Sequence, residues 1–566
     1  ENTLEHGLST FAEPIGKVTN KHSMKVIKTL LIGAWLMGSL ALHAQKANIF
    51  GTVTADGKPL AGVPVSDGYE VTTTGVDGRY ELNSHKRHGY VFISIPGGYE
   101  VPVEGVVPKF WTSLNKPVTQ AEQHDFKLSR VDNVNHVVLA ITDLHLAGVY
   151  NDKEQLCMSF MPSINNTVKQ LAGQKMYTLS LGDLSFERYW YLKGYDIADY
   201  RKTMEVVRYP TPMFSVIGNH DHDGGTAFSD STDFMSAAKY KKALGPTYYS
   251  FNLGKVHYVV LDNIIYLNEP NGKVVDGLVG KRNYITRVSE EQRDWLKKDL
   301  ALVKDKNTPV VVAMHAATYR YEGISPEVVS WLSKPEYSEE ITDCFRDFKE
   351  VHYLSGHTHR NNTVRYKNVV EHNIGAVCGS WWRTGSNLLQ ALGPDGGPAG
   401  YAVFNVQGSN LSWYYNSIED GAQKQFRVFD MNEVRRYYRD SKEVATFLSH
   451  YPQRVDFRQL PDNLVYIHVW GWEPKWKVEV TENGQPLTVT RELTEDPLYT
   501  ITNDIPATVW INKFPASMME EYLKNHIFVV KASKPDSKIS VTVTDAFGKV
   551  YTETVARPKA FSMAMK

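Results

Sequence analysis

The sequence predicts an α/β protein: a layered central domain with a small β-sandwich before it and a β-rich domain after it. Three observations carry this. Apolar runs of strand length recur between residues 136 and 354, with helix-like stripes between several of them. Ahead of them, short alternating apolar and polar runs are broken by Asp56-Gly57 and Asp77-Gly78, both hairpin signals. Beyond them, helical periodicity is sparse, and runs such as "WKVEVTENGQPLTV" and "KISVTVTDAFGKVYTETV" read as strands joined by tight turns.

A chain of 566 residues is too long for one core. Hydrophobic content of 42% and charged content of 22% suit a globular protein. Lys plus Arg is 62 against Asp plus Glu at 63, so no basic footprint for nucleic acid is present. The three cysteines, Cys157, Cys344 and Cys378, form no CxxC pair and no disulfide framework. Cys378, within "IGAVCGS", reads as a small buried hydrophobe.

From Met24 the chain reads "MKVIKTLLIGAWLMGSLALHAQ". Two lysines, an apolar run from Leu30 to Leu42 and the small Ala44 have the layout of a secretory signal peptide over residues 24–44. The run is short for a membrane span, which needs roughly 20 apolar residues. Residues 1–23 are read as a non-native or over-extended N-terminus. An exported protein, periplasmic or secreted, with no membrane span after cleavage, is the expectation. The β-sandwich is placed at 46–130, where the sequence resembles transthyretin-like or carboxypeptidase-regulatory-like domains. The central domain is placed at 131–400, ending in the glycine- and proline-rich "GPDGGPAG", and the C-terminal domain at 401–566.

In the central domain the strands are expected at 136–141, 175–181, 212–217, 256–261, 309–314 and 351–354. One helical stripe runs through Leu156, Phe160, Ile164, Val168 and Leu171. A second starts at a Ser289-x-x-Gln292 capping box and carries Trp295, Leu296, Leu300 and Val303. Strands alternating with helices argue for buried strands in an α/β layer.

The residues at the carboxyl ends of these runs carry the chemistry. "HVVLAIT" leads to Asp143-Leu144-His145, "MYTLSL" to Gly182-Asp183, "MFSVI" to Gly218-Asn219-His220-Asp221, "VVVAM" to His315, and "VHYLS" to Gly356-His357-Thr358-His359. Five runs therefore end at a metal-competent side chain. In open α/β sheets ligands gather at the carboxyl ends of the strands. Each piece alone is more often structural; the ordered set is far more specific.

That set resembles the calcineurin-like metallophosphoesterases over residues about 134–385, and "GPTYYSFNLGKVHYVVLDN" and "EEQRDWLKKDL" are similar to segments between the third and fourth motifs of that family. The three-part layout looks like a secreted Bacteroidetes-type form with a β-domain on each side. The resemblance implies a layered β-sandwich core flanked by helices. It implies two divalent ions, with Asp143, His145 and His359 on the first, Asn219, His315 and His357 on the second, and Asp183 bridging. Mixed carboxylate, amide and imidazole donors suit Mn, Fe or Zn. The implied reaction is in-line attack on a phosphate ester by a metal-bridging hydroxide, with His220 assisting the leaving group and Asp221 fixing its tautomer. Purple acid phosphatases carry a tyrosine ligand three residues after the GD aspartate; Phe186 stands there, which disfavours an iron–tyrosinate centre.

Substrate contacts are expected from Arg360 and from "CGSWWRTG", where Trp381 and Trp382 either stack on a ring or pack at a domain interface and Arg383 pairs with a phosphate oxygen. His222 and Asp223 either line the pocket or form a solvated turn. The segment 268–284 is a lid or an exposed loop. The expected substrate is a small-molecule or glycan- or lipid-linked phosphate ester. Monoester, diester and nucleotide-sugar pyrophosphate all stand open. A non-catalytic surface glycan-binding protein is the alternative from another class.

Overall fold

A computed structural model describes residues 47–325, 329–382, 391–506 and 523–564. The proposed signal segment, the residues before it and Arg383 lie outside the described residues.

Two sheets form the central domain. The first has the order Met213–Ser215, Lys175–Ser180, Asn135–Ile141, Gly400–Gln407, Asn410–Ser417. Its first three strands are parallel, and Gly400–Gln407 pairs antiparallel with Asn135–Ile141. The second has the order Tyr249–Leu253, Val256–Val260, Val310–Ala316, Val351–Gly356, Val369–Asn373, Asn362–Tyr366. Val256–Val260, Val310–Ala316, Val351–Gly356 and Val369–Asn373 run parallel.

Strand periodicity explains how the sheets stack. Val138 and Ala140 face a core shared with Val310, Val312, Val351 and Tyr353 of the second sheet. Val137, Leu139 and Ile141 face the other way, against Leu156, Phe160, Ile164, Tyr200 and Met204 of the covering helices. The strand Asn135–Ile141 is thus buried on both faces, and it is a near-continuous apolar run for that reason. The helix Glu290–Leu300 seats Trp295, Leu296 and Leu300 in the shared core. Ser289 caps it by accepting from Gln292 N, but the Gln292 side chain bonds Asp262 at both its ends, so the capping box is only half made.

The central sheet continues past residue 400, the edge expected from "GPDGGPAG". Gly400–Gln407 and Asn410–Ser417 are needed to cover Asn135–Ile141, whose other edge is taken by Lys175–Ser180. In the N-terminal domain Asp56 and Gly57 both have positive φ and turn Ile49–Ala55 onto Lys58–Pro59. Among its described residues the C-terminal domain has two four-stranded sheets, most of whose strands follow the helices Met431–Asp440 and Lys442–His450. Their apolar residues, Met431, Val434, Tyr438, Val444 and Phe447, bury together. No helix among the described residues is long and apolar enough to cross a membrane.

Candidate metal centre

The ligand-bearing segments extend from parallel strands, so the side chains of both sheets meet at one end of the sandwich. Asp143 is 0% exposed. Its Oδ2 accepts from His357 N at 2.9 Å and from the Thr142 hydroxyl at 2.7 Å. Its Oδ1 has no hydrogen-bond partner among the described residues and lies 3.6 Å from His145 Nε2 and 3.4 Å from His359 Nε2. Those two imidazole nitrogens face each other at 3.1 Å. On the other side His315 Nε2 lies 3.1 Å from Asn219 Oδ1, 3.2 Å from His357 Nδ1 and 3.1 Å from Asp183 Oδ2. The same Asp183 oxygen is 3.7 Å from His145 Nε2, so it stands between the two groups. Its Oδ1 accepts from His220 N at 2.8 Å.

Donor atoms around one ion at roughly 2.0–2.2 Å sit about 3–3.6 Å apart. These spacings match that, and three overlapping clusters among the described residues, His145–His359–Cys378, His145–Asp183–His220 and Asp183–His315–His357, could each hold a cation. Tautomers are set for the purpose. His315 Nδ1 and His359 Nδ1 meet the carbonyls of Leu181 and Gly379 at 2.8 and 2.7 Å, leaving each Nε2 for the centre. Charge tells the same story. Burial would raise the pKa of Asp143, but the His359 and His145 imidazoles hold it well below the carboxylate range. Burial would lower His315, yet Asp183 pushes it up to about 9. Burial takes His145 and His357 down to about 4. A positive charge is wanted between these groups. The residues fit two divalent ions.

The backbone is bent to make this cluster. Asp143, His145, Asp183, His357 and His359 all have φ between 45° and 67°. Non-glycine residues rarely adopt that region, and each costs on the order of 1–3 kcal/mol, held by the surrounding structure. Glycine is required beside them for room. A Cβ on Gly218 would lie 2.2 Å from Asp183 Oδ1, and one on Gly356 would lie 1.9 Å from Thr142 Oγ1 and 2.5 Å from Asp143 Oδ2.

His220 faces the centre through Nε2, because its Nδ1 is 2.6 Å from Glu187 Oε2. The expectation that Asp221 fixes this ring is corrected. Asp221 turns away and accepts from Leu184 N, Ser185 N and Gly218 N, tying the two ligand loops together. The turn Asn219–Asp221 aims the two neighbouring side chains apart. Glu187, which no sequence motif singles out, holds His220 instead and is held in turn by Arg282 Nη1 at 2.7 Å. Arg282 and Tyr284, whose hydroxyl is 3.2 Å from His357 Nε2, come from the segment expected to be a lid or loop. Within it Pro270–Val275 and Leu278–Gly280 form a hairpin.

Trp381 covers the first group, its ring 4.1 Å from that of His145 and 5.1 Å from His359. Trp382 does not reach substrate space: it is 4% exposed, packs in the helix-side core and donates from Nε1 to Leu144 O. Phe186 sits 4.6 Å from His220 and 5.7 Å from His145. Arg360 lines a cavity beside His357. His222 is buried, stacked 5.0 Å from Tyr266, and is no solvated turn. Cys378 is buried with its sulfur in reach of His145 and His359.

A two-sheet α/β sandwich with clustered carboxylate, amide and imidazole donors defines the class of a metal-dependent hydrolase. Three family models match the chain: N terminal of Calcineurin-like phosphoesterase over residues 47–131, Calcineurin-like phosphoesterase over 136–361, and C terminal of Calcineurin-like phosphoesterase over 371–551. The chain belongs to the calcineurin-like phosphoesterases and is a metallophosphoesterase. No curated protein matches it in sequence. Among solved structures it is similar to a dimetal phosphatase from Danio rerio, at 14% identity over 50% of this chain and 96% of that one, TM-score 0.33. A purple acid phosphatase from yellow lupin seeds gives 14% identity over 51% and 52%, TM-score 0.32. Phosphopantetheinyl hydrolase from Mycobacterium tuberculosis gives 14% over 43% and 91%, TM-score 0.24. These likenesses concern the fold alone.

Proposed function

We propose that the chain is an exported, dinuclear phosphoesterase that hydrolyses a phosphate ester in line, with His220 as the acid for the leaving oxygen. The observation that carries this is Asp183 Oδ2 standing between two imidazole groups, 3.1 Å from His315 and 3.7 Å from His145. Asp143, His145 and His359 would hold one ion, Asn219, His315 and His357 the other, and Asp183 both. Two such ions, Mn, Fe or Zn, lower the pKa of water toward ~7 and neutralise the phosphoryl oxygens.

The side chains do the rest. Glu187 orients His220 and, against the effect of burial, raises its pKa, so the ring keeps a proton to give. Trp381 and Phe186 exclude water around that proton. Export rests on the signal-like segment 24–44. The substrate is a small or glycan- or lipid-linked phosphate ester, and Arg360 is its candidate oxygen-binding cation. Nothing favours the glycan-binding alternative, since all seven donor positions are filled.

The test is hydrolysis of p-nitrophenyl phosphate and bis-p-nitrophenyl phosphate with added Mn, Zn or Fe, beside Asp183→Asn and His220→Ala. Metal-dependent turnover that collapses in both variants supports the proposal. Turnover indifferent to metal or to Asp183 refutes it.

A further inference from the structure

Each imidazole of the proposed ligand set has one nitrogen toward the centre, and the group on its other nitrogen decides where the proton sits. A neutral imidazole offers a lone pair only on the nitrogen without the proton. His315 and His359 place Nδ1 on the carbonyls of Leu181 and Gly379. A carbonyl only accepts, so Nδ1 keeps the proton in both rings. His145 Nδ1 is buried and has no hydrogen-bond partner among the described residues. His357 is turned the other way. Its Nδ1 lies 3.2 Å from His315 Nε2, on the side of the centre, and its Nε2 lies 3.2 Å from the Tyr284 hydroxyl. Among the described residues it is the one ring of the four whose outer nitrogen meets a side chain.

A hydroxyl, unlike a carbonyl, both donates and accepts. With the proton on Nδ1, His357 donates to His315 Nε2 and Tyr284 donates to His357 Nε2. With the proton on Nε2, His357 donates to Tyr284 Oη and turns the Nδ1 lone pair to the centre. The second arrangement is the one a cation needs, and the Tyr284 oxygen is what receives the displaced proton.

The strand sets the ring. Tyr284–Thr286 pairs antiparallel with Ile264–Tyr266, with Tyr284 opposite Tyr266. Side chains alternate along a strand, so Tyr284 and Thr286 share a face. Thr286 lines the cavity beside His357, and Ile285, between them, is exposed. The chain entering the strand is tied down as well. Arg282 N donates to Asn268 Oδ1 at 3.0 Å, and Asn268 N donates to Asn283 O at 3.1 Å.

From this pairing of the Tyr284 hydroxyl with the outer nitrogen of His357, we infer that Tyr284 is a positioning residue for the second ion: it accepts the Nε2 proton and so commits Nδ1 to the metal. Tyr284 acts through His357 and is not itself a ligand. The first ion does not depend on it, because Gly379 O sets the tautomer of His359. The inference rests on the proposed assignment of His357 to the second ion and names the group that holds that ligand. Partners of this kind are typically worth 10- to 100-fold in metal affinity.

The test is a titration of metal-stripped chain with Mn in wild type and in Tyr284→Phe, which keeps the ring and removes the hydroxyl. Equilibrium dialysis counts bound metal, electron paramagnetic resonance distinguishes a coupled Mn pair from a lone bound ion, and a thermal scan gives the metal-free Tm. Wild type is expected to take two ions and show the coupled spectrum. Tyr284→Phe is expected to bind the first ion as wild type does and the second about 10- to 100-fold more weakly, so that the lone-ion signal persists at two equivalents. Its turnover is expected to recover at saturating Mn. A variant that binds both ions as wild type does overturns the inference while the dinuclear reading stands. So does one in which both ions weaken together and the metal-free Tm falls, since that is a general loss of structure. A wild type that takes fewer than two ions refutes the dinuclear reading, and the inference with it.

Discussion

His220 Nδ1 lies 2.6 Å from Glu187 Oε2, and Glu187 is a carboxylate only 1% exposed whose other oxygen takes Arg282 at 2.7 Å. A buried acid with two charged partners is a fixed post. It orients the imidazole and raises its pKa, against the pull of burial.

Replacing Glu187 by Gln removes the charge and keeps the shape. A histidine with a raised pKa holds its proton to higher pH, so the variant loses it at lower pH. The basic limb of the kcat profile moves down in pH, and kcat falls about 10- to 100-fold. A pH–rate series on the two proteins checks both.

Asp183→Asn separates metal binding from folding. Asn tolerates the positive φ of 50° at this site, so the metal-free variant still folds, with a Tm lowered by the lost attraction between Asp183 and His315. Added Mn or Zn raises the wild-type Tm by mass action and leaves the variant's unchanged. Thermal scans with and without metal read this directly.

The two tryptophans part company. Trp382→Ala empties a buried site and loses its bond to Leu144 O, destabilising by about 3–5 kcal/mol. Trp381→Ala costs less stability and more activity, since its ring faces His145 and His220. Denaturant melts beside steady-state kinetics distinguish them.

Stability in acid has a separate marker in the N-terminal domain. Burial would raise Glu122, but Lys86 at 2.6 Å and the N–H groups of Asn115 and Lys116 push it down to about 2. A depressed carboxylate stabilises the fold above its unfolded pKa, and that stability is lost as pH falls toward the folded value. Both side chains are buried, so Glu122→Gln leaves Lys86 without its carboxylate and costs about 1–3 kcal/mol near pH 7. The gap between the two proteins closes between about pH 4.5 and pH 2. Chemical melts across that range measure it.

The strands and the donor types were legible because each apolar run ends on its donor within a few residues, so local order in the chain carries the site. Gly218 and Gly356 were legible in position, and only the packing around them shows why no Cβ fits. Glu187 was not legible. It contacts His220 across 33 residues, and nothing in "GDLSFE" marks one acid among 63 as the partner. Asp221 sat next to His220 in sequence and misled for that reason, since the turn there aims the two side chains apart. Trp381 and Trp382 are neighbours with opposite fates, both at positive φ, and a sequence does not show which one a turn sends outward. The "GPDGG" turn read as an edge because glycine marks loops of every kind; here it packs against Asp496, Arg427 and the loop after His359.

The most direct measurement is a titration of metal-stripped chain with Mn, following bound metal and p-nitrophenyl ester hydrolysis together, in wild type and Asp183→Asn. Two ions per chain with turnover rising as the second binds, and neither in the variant, is the expected result. Full turnover in the stripped chain, or undiminished metal binding and turnover in Asp183→Asn, would contradict a dinuclear centre built on Asp183.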